Sequence, residues 1–337
     1  MCANCADDSA RGRAAVAEAL RGARRLLVVT HARPDGDGLG SMLALCLAGA
    51  EAGRECDFLS LDPVPRRYEF LFEARPPAPA ARFAGLAAAA DRVVVVDTCA
   101  LAQLEPIAEA LRACREKVVV IDHHATADDI APVVWRDESA AAAGVMVIEL
   151  LDELGWPLTA PTAEALMTAL CTDTGWLRYA NTDSRVLAAA ARLVDAGARP
   201  AKLFASIYQR DRPERLKLLA AALGSLELHA DGRLAAMTLT RGDFDRTGAS
   251  EDETEDFVNE PMRIPSVEVS LLCTAQADGQ VRVSLRSRQV VDVAAVARGF
   301  GGGGHPRAAG LRASGGLADV AADVIAACIE ALRAGGG

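Results

Sequence analysis

Short runs of valine, isoleucine and leucine recur through the first half of the chain without the polar–apolar alternation of a half-exposed strand. Segments with helical spacing separate these runs. Strands that are buried on both faces occur mainly in parallel sheets covered by helices. The pattern therefore predicts an α/β fold, with a parallel sheet and helices on both of its faces. The runs are RRLLVVTHA (24–32), CDFLSL (56–61), DRVVVVDTCA (91–100) and KVVVIDHH (117–124).

Helices are predicted at 40–53, where Gly53 supplies the C-terminal cap, and around 101–114, with three more up to Gly197. Beyond residue 225 the pattern changes to two pairs of strands, each hinged on an ADG turn. The sequence therefore predicts an α/β domain over 1–197, a helical linker over 198–225 and a smaller α+β domain over 226–337.

Acidic and imidazole side chains follow the predicted strands at their carboxyl ends, where open parallel sheets bind their ligands. Four carboxylates crowded at one sheet edge would repel each other, and divalent cations remove that cost. The mixture of carboxylate and imidazole favours Mn²⁺, with Mg²⁺, Fe²⁺ or Co²⁺ as competitors. The predicted metal ligands are His31, Asp35, Asp37, Asp97, His123 and Asp173.

The formal net charge of the 337 residues is −10. That charge argues against a long nucleic-acid track, whose affinity comes mainly from Lys and Arg on phosphates, but it allows a local pocket for a small phosphorylated ligand. The N-terminus lacks an apolar signal core and no segment is apolar for long enough to span a bilayer, so a cytoplasmic location without membrane contact is expected. Cys2 and Cys5 form a C-x-x-C pair without a second pair at zinc-site spacing.

Five motifs together resemble the DHH phosphoesterase superfamily, and the resemblance extends from about residue 24 to the end of the chain. The layout is similar to the nanoRNase/pAp-phosphatase branch. That resemblance implies hydrolysis of very short RNA and linear dinucleotides such as pApA or pGpG, linking the chain to cyclic-dinucleotide turnover, and of pAp to AMP and phosphate. The motifs are HARPDGDGLGS (31–41), VVVDT (94–98), DHH (122–124), CTDTGWLRYANT (171–182) and FGGGGHPRAAG (300–310).

The resemblance also implies how these side chains divide between two metal ions. His31 and Asp35 would hold one ion, Asp37, His123 and Asp173 would hold the other, and Asp97 would bridge them. For catalysis, it implies that His124 faces the phosphate, while Asp122 orients a neighbouring imidazole. Gly38 is expected to matter little to the chemistry.

The second domain carries a candidate anion site. A glycine run lets backbone N–H groups approach a phosphate closely, and an arginine-rich strand, RVSLRSR (282–288), precedes it. By resemblance, Arg286, Ser287 and His305, together with Gly302, Gly303 and Gly304, would bind the substrate. Trp176 and Tyr179 are open to two interpretations, core packing or stacking on a base.

Three alternatives are weighed against this function. An inorganic pyrophosphatase and a RecJ-like single-strand exonuclease use related catalytic domains, and a nucleotide-binding regulator would have lost metal ligands that are all present here. The substrate preference, the loaded metal, the polarity of cleavage and the oligomeric state stay open, a homodimer included.

Overall fold

The computed structural model describes residues 3–335, with side chains from residue 8. The predicted Cys2–Cys5 motif lies outside the residues whose side chains are described. The helices are α1 Ala3–Arg21, α2 Gly36–Glu51, α3 Phe83–Ala89, α4 Ala108–Ala113, α5 Ala143–Leu154, α6 Ala160–Asp173, α7 Ser184–Asp195, α8 Pro200–Tyr208, α9 Pro213–Gly224, α10 Arg241–Thr247, α11 Val293–Arg298 and α12 Leu317–Ala334. The strands are β1 Arg25–Val29, β2 Glu55–Ser60, β3 Ala78–Pro79, β4 Arg92–Val96, β5 Val118–Asp122, β6 Val133–Arg136, β7 Glu227–His229, β8 Leu234–Leu239, β9 Val269–Ala275, β10 Gln280–Ser287, β11 Gly303–His305 and β12 Ala308–Ser314.

The first six strands form one parallel sheet in the order β3-β2-β1-β4-β5-β6. Alternate residues of β1, β2, β4 and β5 enter different cores. Leu26 and Val28 of β1 join one apolar cluster with α2, α5 and α6, whereas Leu27 and Val29 join another with α3 and α4. Both faces of the sheet are therefore covered, which confirms the predicted α/β class and explains the runs without alternation.

The last six strands form a second sheet in the order β11-β12-β10-β9-β8-β7, in which only the β8–β9 pair is parallel. The two strand pairs predicted around the ADG turns are β7–β8 and β9–β10. Ala230, Asp231 and Gly232 in the first of these turns all have positive φ angles, of 50°, 55° and 78°. Helices α11 and α12 pack against this sheet and complete its apolar core.

The chain forms two compact units, Met1–Arg210 and Asp211–Gly337. Their boundary falls within the predicted linker of 198–225, where α8 belongs to the first unit and α9 to the second. None of the helices in residues 3–335 combines the length and the apolar character that crossing a bilayer requires.

Two predicted helices differ from the observed ones. Helix α2 begins at Gly36 rather than at residue 40, because the Asp35 side chain caps it by accepting from the backbone N–H groups of Asp37 and Gly38. The predicted helix at 101–114 is a 3₁₀ segment, Leu101–Ile107, followed by the short α4. Pro106 lies inside the 3₁₀ segment, and proline cannot supply the N–H that a continuous α-helix needs.

Candidate metal centre

Three neighbouring strands, β1, β4 and β5, bring the predicted ligands together at their carboxyl ends. His31 lies two residues beyond β1, Asp97 follows β4 directly, and His123 follows β5. The N-terminal end of α2 adds Asp35 and Asp37, and the C-terminal end of α6 adds Asp173. All six predicted metal ligands therefore converge on one edge of the first sheet.

The first ligand group contains His31, Asp35 and Asp97, whose ligand atoms lie within 4.8 Å of one another. The Nε2 atom of His31 is 3.7 Å from Asp35 Oδ1 and 3.4 Å from Asp97 Oδ2. Ligand atoms bound at about 2.1 Å in neighbouring octahedral positions lie roughly 3.0 Å apart. A small contraction of this group would therefore enclose a divalent cation.

The second group contains Asp37, His123 and Asp173, again within 4.8 Å. The Nε2 atom of His123 is 3.7 Å from Asp37 Oδ2, 3.4 Å from Asp173 Oδ2 and 3.2 Å from Asp97 Oδ1. The two Asp97 oxygens thus face different groups. His123 Nε2 and Asp97 Oδ1 are both buried without a hydrogen-bond partner among the described residues. Such orphaned atoms are costly unless a ligand satisfies them, so the donor set fits a pair of cations.

Backbone carbonyls orient the two imidazoles. The Nδ1 atom of His31 lies 2.9 Å from the carbonyl oxygen of Ala32, and that of His123 lies 3.1 Å from the carbonyl oxygen of Ala140. A carbonyl oxygen only accepts, so each Nδ1 carries the proton and donates it. In the neutral tautomer each Nε2 then presents a lone pair to the acidic cluster, which is the arrangement that metal-binding histidines need.

The start of α5 holds Asp37 in place. Its carboxylate accepts hydrogen bonds from the backbone N–H of Ala143 at 2.5 Å, the backbone N–H of Gly144 at 2.9 Å and the hydroxyl of Ser41 at 3.0 Å. The amino end of a helix attracts negative charge. These contacts with backbone N–H groups and a hydroxyl fix the carboxylate in a fully buried position.

The backbone of Asp97 is left-handed, with φ at 64°. This conformation is uncommon for residues other than glycine, although aspartate and asparagine adopt it more readily than most. The backbone N–H of Asp97 donates to the carbonyl of Ile121 at 2.9 Å, which ties the turn to β5. The fold thus holds a strained residue where its carboxylate can face both ligand groups.

Close packing at small residues sets the distance between the ligand-bearing helices. A Cβ atom at Gly40 would lie 2.4 Å from the Ala165 carbonyl oxygen of α6. At Gly38 it would lie 2.2 Å from Thr30 Oγ1 and 3.2 Å from His31 Nε2. A methyl group at Gly38 would force the buried Thr30 side chain to move. That Gly38 matters little to the chemistry itself stays a prediction.

Burial and charge act in opposite directions on the imidazoles. Burial opposes the charged form of His31, but hydrogen bonds and charges of Asp35 and Asp97 outweigh it and raise the pKa to about 11. Burial likewise opposes a charge on His123, and the neighbouring carboxylates raise its pKa to about 10. Burial first, then Asp97 and Asp35, raise the pKa of Asp173 to about 7. The metal-free cluster therefore holds protons that cations would replace.

Metal binding at pH 7 is expected to release one proton from each of His31 and His123, with a further fraction from Asp173. The raised pKa values mean that protons compete with the metal, so the apparent affinity for Mn²⁺ should increase as the pH rises toward about 10. Calorimetric titrations with Mn²⁺ in two buffers of different ionisation enthalpy would count the protons. A matched His31→Gln variant should release about one proton fewer, and binding without proton release would contradict this account.

The second histidine of the DHH triplet has a different partner from the first. His124 Nδ1 donates to Asp122 Oδ1 at 2.8 Å, and its backbone N–H reaches the same oxygen at 3.2 Å. This hydrogen bond is the largest cause that raises the pKa of His124. The side chain is 47% exposed, whereas Asp122 is fully buried. His124 also lies close enough to Asp97 and His123 to form a third possible metal group, with Nδ1 3.9 Å from Asp97 Oδ1.

The predicted substrate residues of the second unit lie at one end of its sheet. His305 is exposed on β11, and Arg286 is the penultimate residue of β10, where its side chain donates to the carbonyl of Leu285. The Ser287 hydroxyl is turned inward, because it donates to the carbonyls of Val291 at 2.6 Å and Pro306 at 3.1 Å. The structure therefore gives Ser287 a role in holding this segment together.

The glycine run is part of the second sheet rather than a loop. Gly303 begins β11, which pairs with β12, a pair that the sequence did not predict. A Cβ atom at Gly302 would lie 2.4 Å from the Gly310 carbonyl oxygen, and one at Gly304 would lie 2.5 Å from the Ala308 carbonyl oxygen. Strand packing thus requires glycine at both positions, whereas Gly303 has open space beside it.

Several groups that shape the metal centre were missed in the sequence. The carbonyls of Ala32 and Ala140 orient imidazoles through backbone atoms, which no residue pattern identifies. Asn181 donates to the carbonyls of Asp173 at 3.1 Å and Ala141 at 3.3 Å, and so fixes the end of α6. A lone asparagine after an acidic motif is the one signal that could have indicated this contact.

Two sequence models match the chain, one in each unit. The model of the DHH family, N-terminal domain, matches residues 25–170, and that of the DHHA1 domain matches residues 231–334. The first three motifs lie in the first match and the glycine-rich motif in the second, whereas the motif at 171–182 follows directly after the first match.

Relatives are similar over most of the chain. A protein of Thermus thermophilus named bifunctional oligoribonuclease and PAP phosphatase NrnA is 32% identical over 89% of this chain and 88% of its own length. The protein of the same name from Bacillus subtilis is 27% identical over 85% of this chain and 88% of its own length. Among solved structures, an exopolyphosphatase-related protein from Bacteroides fragilis is 22% identical, covers 93% of this chain and 94% of its own, and has a TM-score of 0.82, which shows a shared fold.

Proposed function

Because the chain belongs to the DHH family, we propose that it is a metal-dependent phosphoesterase acting on very short oligonucleotides. It hydrolyses nanoRNA and linear dinucleotides such as pApA and pGpG to nucleoside monophosphates, and pAp to AMP and phosphate. The observation that carries the proposal is the convergence of six metal-ligating side chains, with Asp97 between the two groups. The names of the Thermus and Bacillus relatives support the same substrate class.

The proposed cofactor is a pair of divalent cations, with Mn²⁺ favoured by the mixture of imidazole and carboxylate ligands. His31 and Asp35 would hold one cation, Asp37, His123 and Asp173 the other, and Asp97 both. When bound, such a pair supplies Lewis acidity that activates a water molecule and neutralises charge on the phosphate. The donor set supports this assignment through the orphaned atoms of Asp97 and His123.

The chain's own side chains supply the remaining steps. Asp122 holds the His124 ring through Nδ1, which leaves Nε2 to donate to a non-bridging phosphate oxygen. Charge on that oxygen grows as water, giving up a proton, adds to phosphorus and the P–O bond to the 3′ oxygen of the leaving nucleotide breaks, with that oxygen taking up a proton. An imidazolium whose pKa is raised by a buried carboxylate is suited to this donation at neutral pH.

The second unit is proposed to contribute substrate-binding residues of its own. The Arg286 guanidinium and the exposed His305 ring are the side chains that support this role, and the open space beside Gly303 leaves room for a ligand there. Gly302 and Gly304 would contribute by shaping the β11–β12 pair. Ser287 would act indirectly, by holding Pro306 and the segment that carries His305.

A substrate series tests the function. Purified protein with Mn²⁺ is expected to hydrolyse pApA, pGpG and a five-nucleotide RNA, with kcat/KM at least about tenfold above that for pyrophosphate or a long single strand, a margin of ~1.4 kcal/mol. Chromatography would separate the nucleoside monophosphates from unreacted substrate, and pAp would be assayed by phosphate release. Metal-loaded protein that releases no product from any short substrate would refute the proposal, and a preference for pyrophosphate or long strands would favour the alternatives.

A further inference from the structure

An aromatic cluster on the first unit has no role in the metal centre described above. It consists of Trp176, Phe204 and Tyr208. The indole ring meets Phe204 edge-on, with centroids 5.1 Å apart at 83°, and meets Tyr208 at 5.9 Å and 73°. Phe204 and Tyr208 lie 5.1 Å apart. Both remain substantially exposed, at 39% and 43%, so the cluster is ordered by its own contacts but leaves aromatic surface to solvent.

The cluster borders the metal centre. Trp176 follows the ligand Asp173 by three residues. Helix α8, which carries Phe204 and Tyr208, packs against α6 and against the 3₁₀ segment that holds the buried Tyr68. The ring contacts of Trp176 with Phe204 and Tyr208 therefore place the cluster near the end of α6 that carries Asp173.

Cationic side chains flank the same surface, although the chain as a whole is acidic. Arg66 and Arg210 are exposed, and the Arg210 guanidinium donates to the Arg66 carbonyl at 3.5 Å. Arg66 begins the 3₁₀ segment that carries Tyr68, and Arg210 is two residues beyond Tyr208. Exposed aromatic planes beside arginines are typical of surfaces that bind single-stranded nucleic acid, where bases stack on the rings and cations attract the phosphates.

Packing stability alone does not account for the conformation of Trp176. Its indole Nε1 is buried and has no hydrogen-bond partner among the described residues, a cost that phenylalanine would avoid. Trp176 and Leu177 also have consecutive left-handed backbones, with φ at 58° and 63°. Strain of this kind is commonest at functional sites.

We propose that Phe204 and Tyr208 form a platform on which the nucleobase next to the scissile phosphate stacks, with Trp176 as its support. This inference rests on the proposed function and adds a base-recognition element to the same site. A nucleobase is the occupant because the surface combines aromatic planes with cations and adjoins the ligands that would hold the scissile phosphate. Stacking is tolerant of base identity, since every base has a π-face, so the platform would select for the presence of a base rather than its type.

A binding cycle tests the platform independently of turnover. The probes are a pApA analogue with a non-hydrolysable methylenephosphonate linkage and two abasic versions, each lacking one adenine. Isothermal titration calorimetry would measure their Kd for the metal-loaded wild type, Tyr208→Ala and Tyr208→Phe. Leu187→Ala is the matched control, because Leu187 is an exposed apolar residue on α7 outside the cluster.

Tyr208→Ala is expected to weaken binding of the full analogue about tenfold, or ~1.4 kcal/mol, whereas Tyr208→Phe and Leu187→Ala should stay within about twofold of wild type. Removing the stacked adenine should raise the Kd of wild type by a similar factor. It should change the Kd of Tyr208→Ala by less than about twofold, because both changes remove the same interaction.

The platform would be overturned if removing either adenine weakened binding by the same factor in Tyr208→Ala as in wild type, because the two changes would then act independently. The proposed function is scored separately by hydrolysis of natural pApA by the wild type. If the wild type hydrolyses pApA but the two changes act independently on Kd, the platform is refuted and the proposed function is not. If Tyr208→Ala and removal of the adenine act on Kd as one change, but the wild type does not hydrolyse pApA, the base site is supported and the phosphoesterase activity is refuted.

Discussion

Replacing Asp97 by asparagine is expected to lower kcat/KM by about 10³-fold or more and to remove bound metal, while the fold survives. The magnitude follows from losing a charged group that acts directly on the reacting centre. Asp97 is the only predicted ligand whose two oxygens face both ligand groups, His31 on one side and His123 on the other. Asparagine keeps the size but loses the negative charge, so neither group would retain its normal affinity for a divalent cation.

Asparagine is the informative replacement because the backbone of Asp97 is left-handed. Asparagine tolerates that conformation, whereas alanine would add strain of about 1–2 kcal/mol. Asp97→Gly provides a second comparison, since glycine adopts a positive φ without strain. Both Asp97→Gly and Asp97→Ala should be inactive, but the glycine variant should have the higher Tm.

Metal content after dialysis against Mn²⁺, measured by plasma emission, would be compared with Tm and circular dichroism for each variant. Asp152→Asn is the matched control, because Asp152 is a half-exposed carboxylate paired with Arg192 outside the metal centre. Two metal ions per chain with wild-type turnover in Asp97→Asn would contradict the bridging role. An unfolded Asp97→Asn with a folded Asp97→Gly would instead assign the residue a role in backbone stability.

The convergence of most candidate ligands could be predicted from the sequence, because parallel strands bring the residues that follow them to one edge of the sheet. Once β1, β4 and β5 are adjacent and parallel, side chains that follow each strand must meet at one edge, whatever the loops do. Asp35 and Asp37 are close in sequence to His31 and follow it there. Asp173 lies at the end of a helix, so strand order alone does not place it, and it was included because an acidic cluster follows that apolar segment.

Other features depend on contacts that sequence patterns do not encode. The start of α2 was misplaced because a cap at Asp35 overrides the low helix propensity of Gly36 and Gly38. The close packing of Gly38 against Thr30 and His31 is a tertiary contact. The inward hydroxyl of Ser287 depends on a loop approaching from a distant segment. Local patterns therefore predicted the chemistry of the site, while packing determined how its groups are held.

Replacing His124 by alanine is expected to lower kcat by about 10²–10⁴-fold while leaving metal content close to wild type. His123→Ala should instead lose metal, because its Nε2 faces three carboxylates. The difference follows from the hydrogen bonds at Nδ1, which join His123 to a backbone carbonyl and His124 to Asp122. Plasma emission and steady-state kinetics on pApA would be measured on the same preparations.

Asp122→Asn tests whether the charge of Asp122 sets the pKa of His124. The amide oxygen can still accept from Nδ1, so the ring should keep its position, but the charge that raises the pKa of His124 is lost. A raised pKa keeps the imidazolium donor present to higher pH, so removing the charge should move the alkaline limb of the kcat profile to lower pH. The alkaline limb would be compared between metal-loaded wild type and metal-loaded Asp122→Asn, because the cations affect both proteins alike.

The two variants together decide between a phosphate donor and a third metal ligand at position 124. A donor predicts full metal content in His124→Ala and an alkaline limb that moves in Asp122→Asn. A ligand predicts metal loss in His124→Ala, comparable with that in His123→Ala, since the third possible group contains both histidines with Asp97. An unchanged pH profile in Asp122→Asn, with the metal retained in His124→Ala, would leave Asp122 as a support for the ring without influence on its proton.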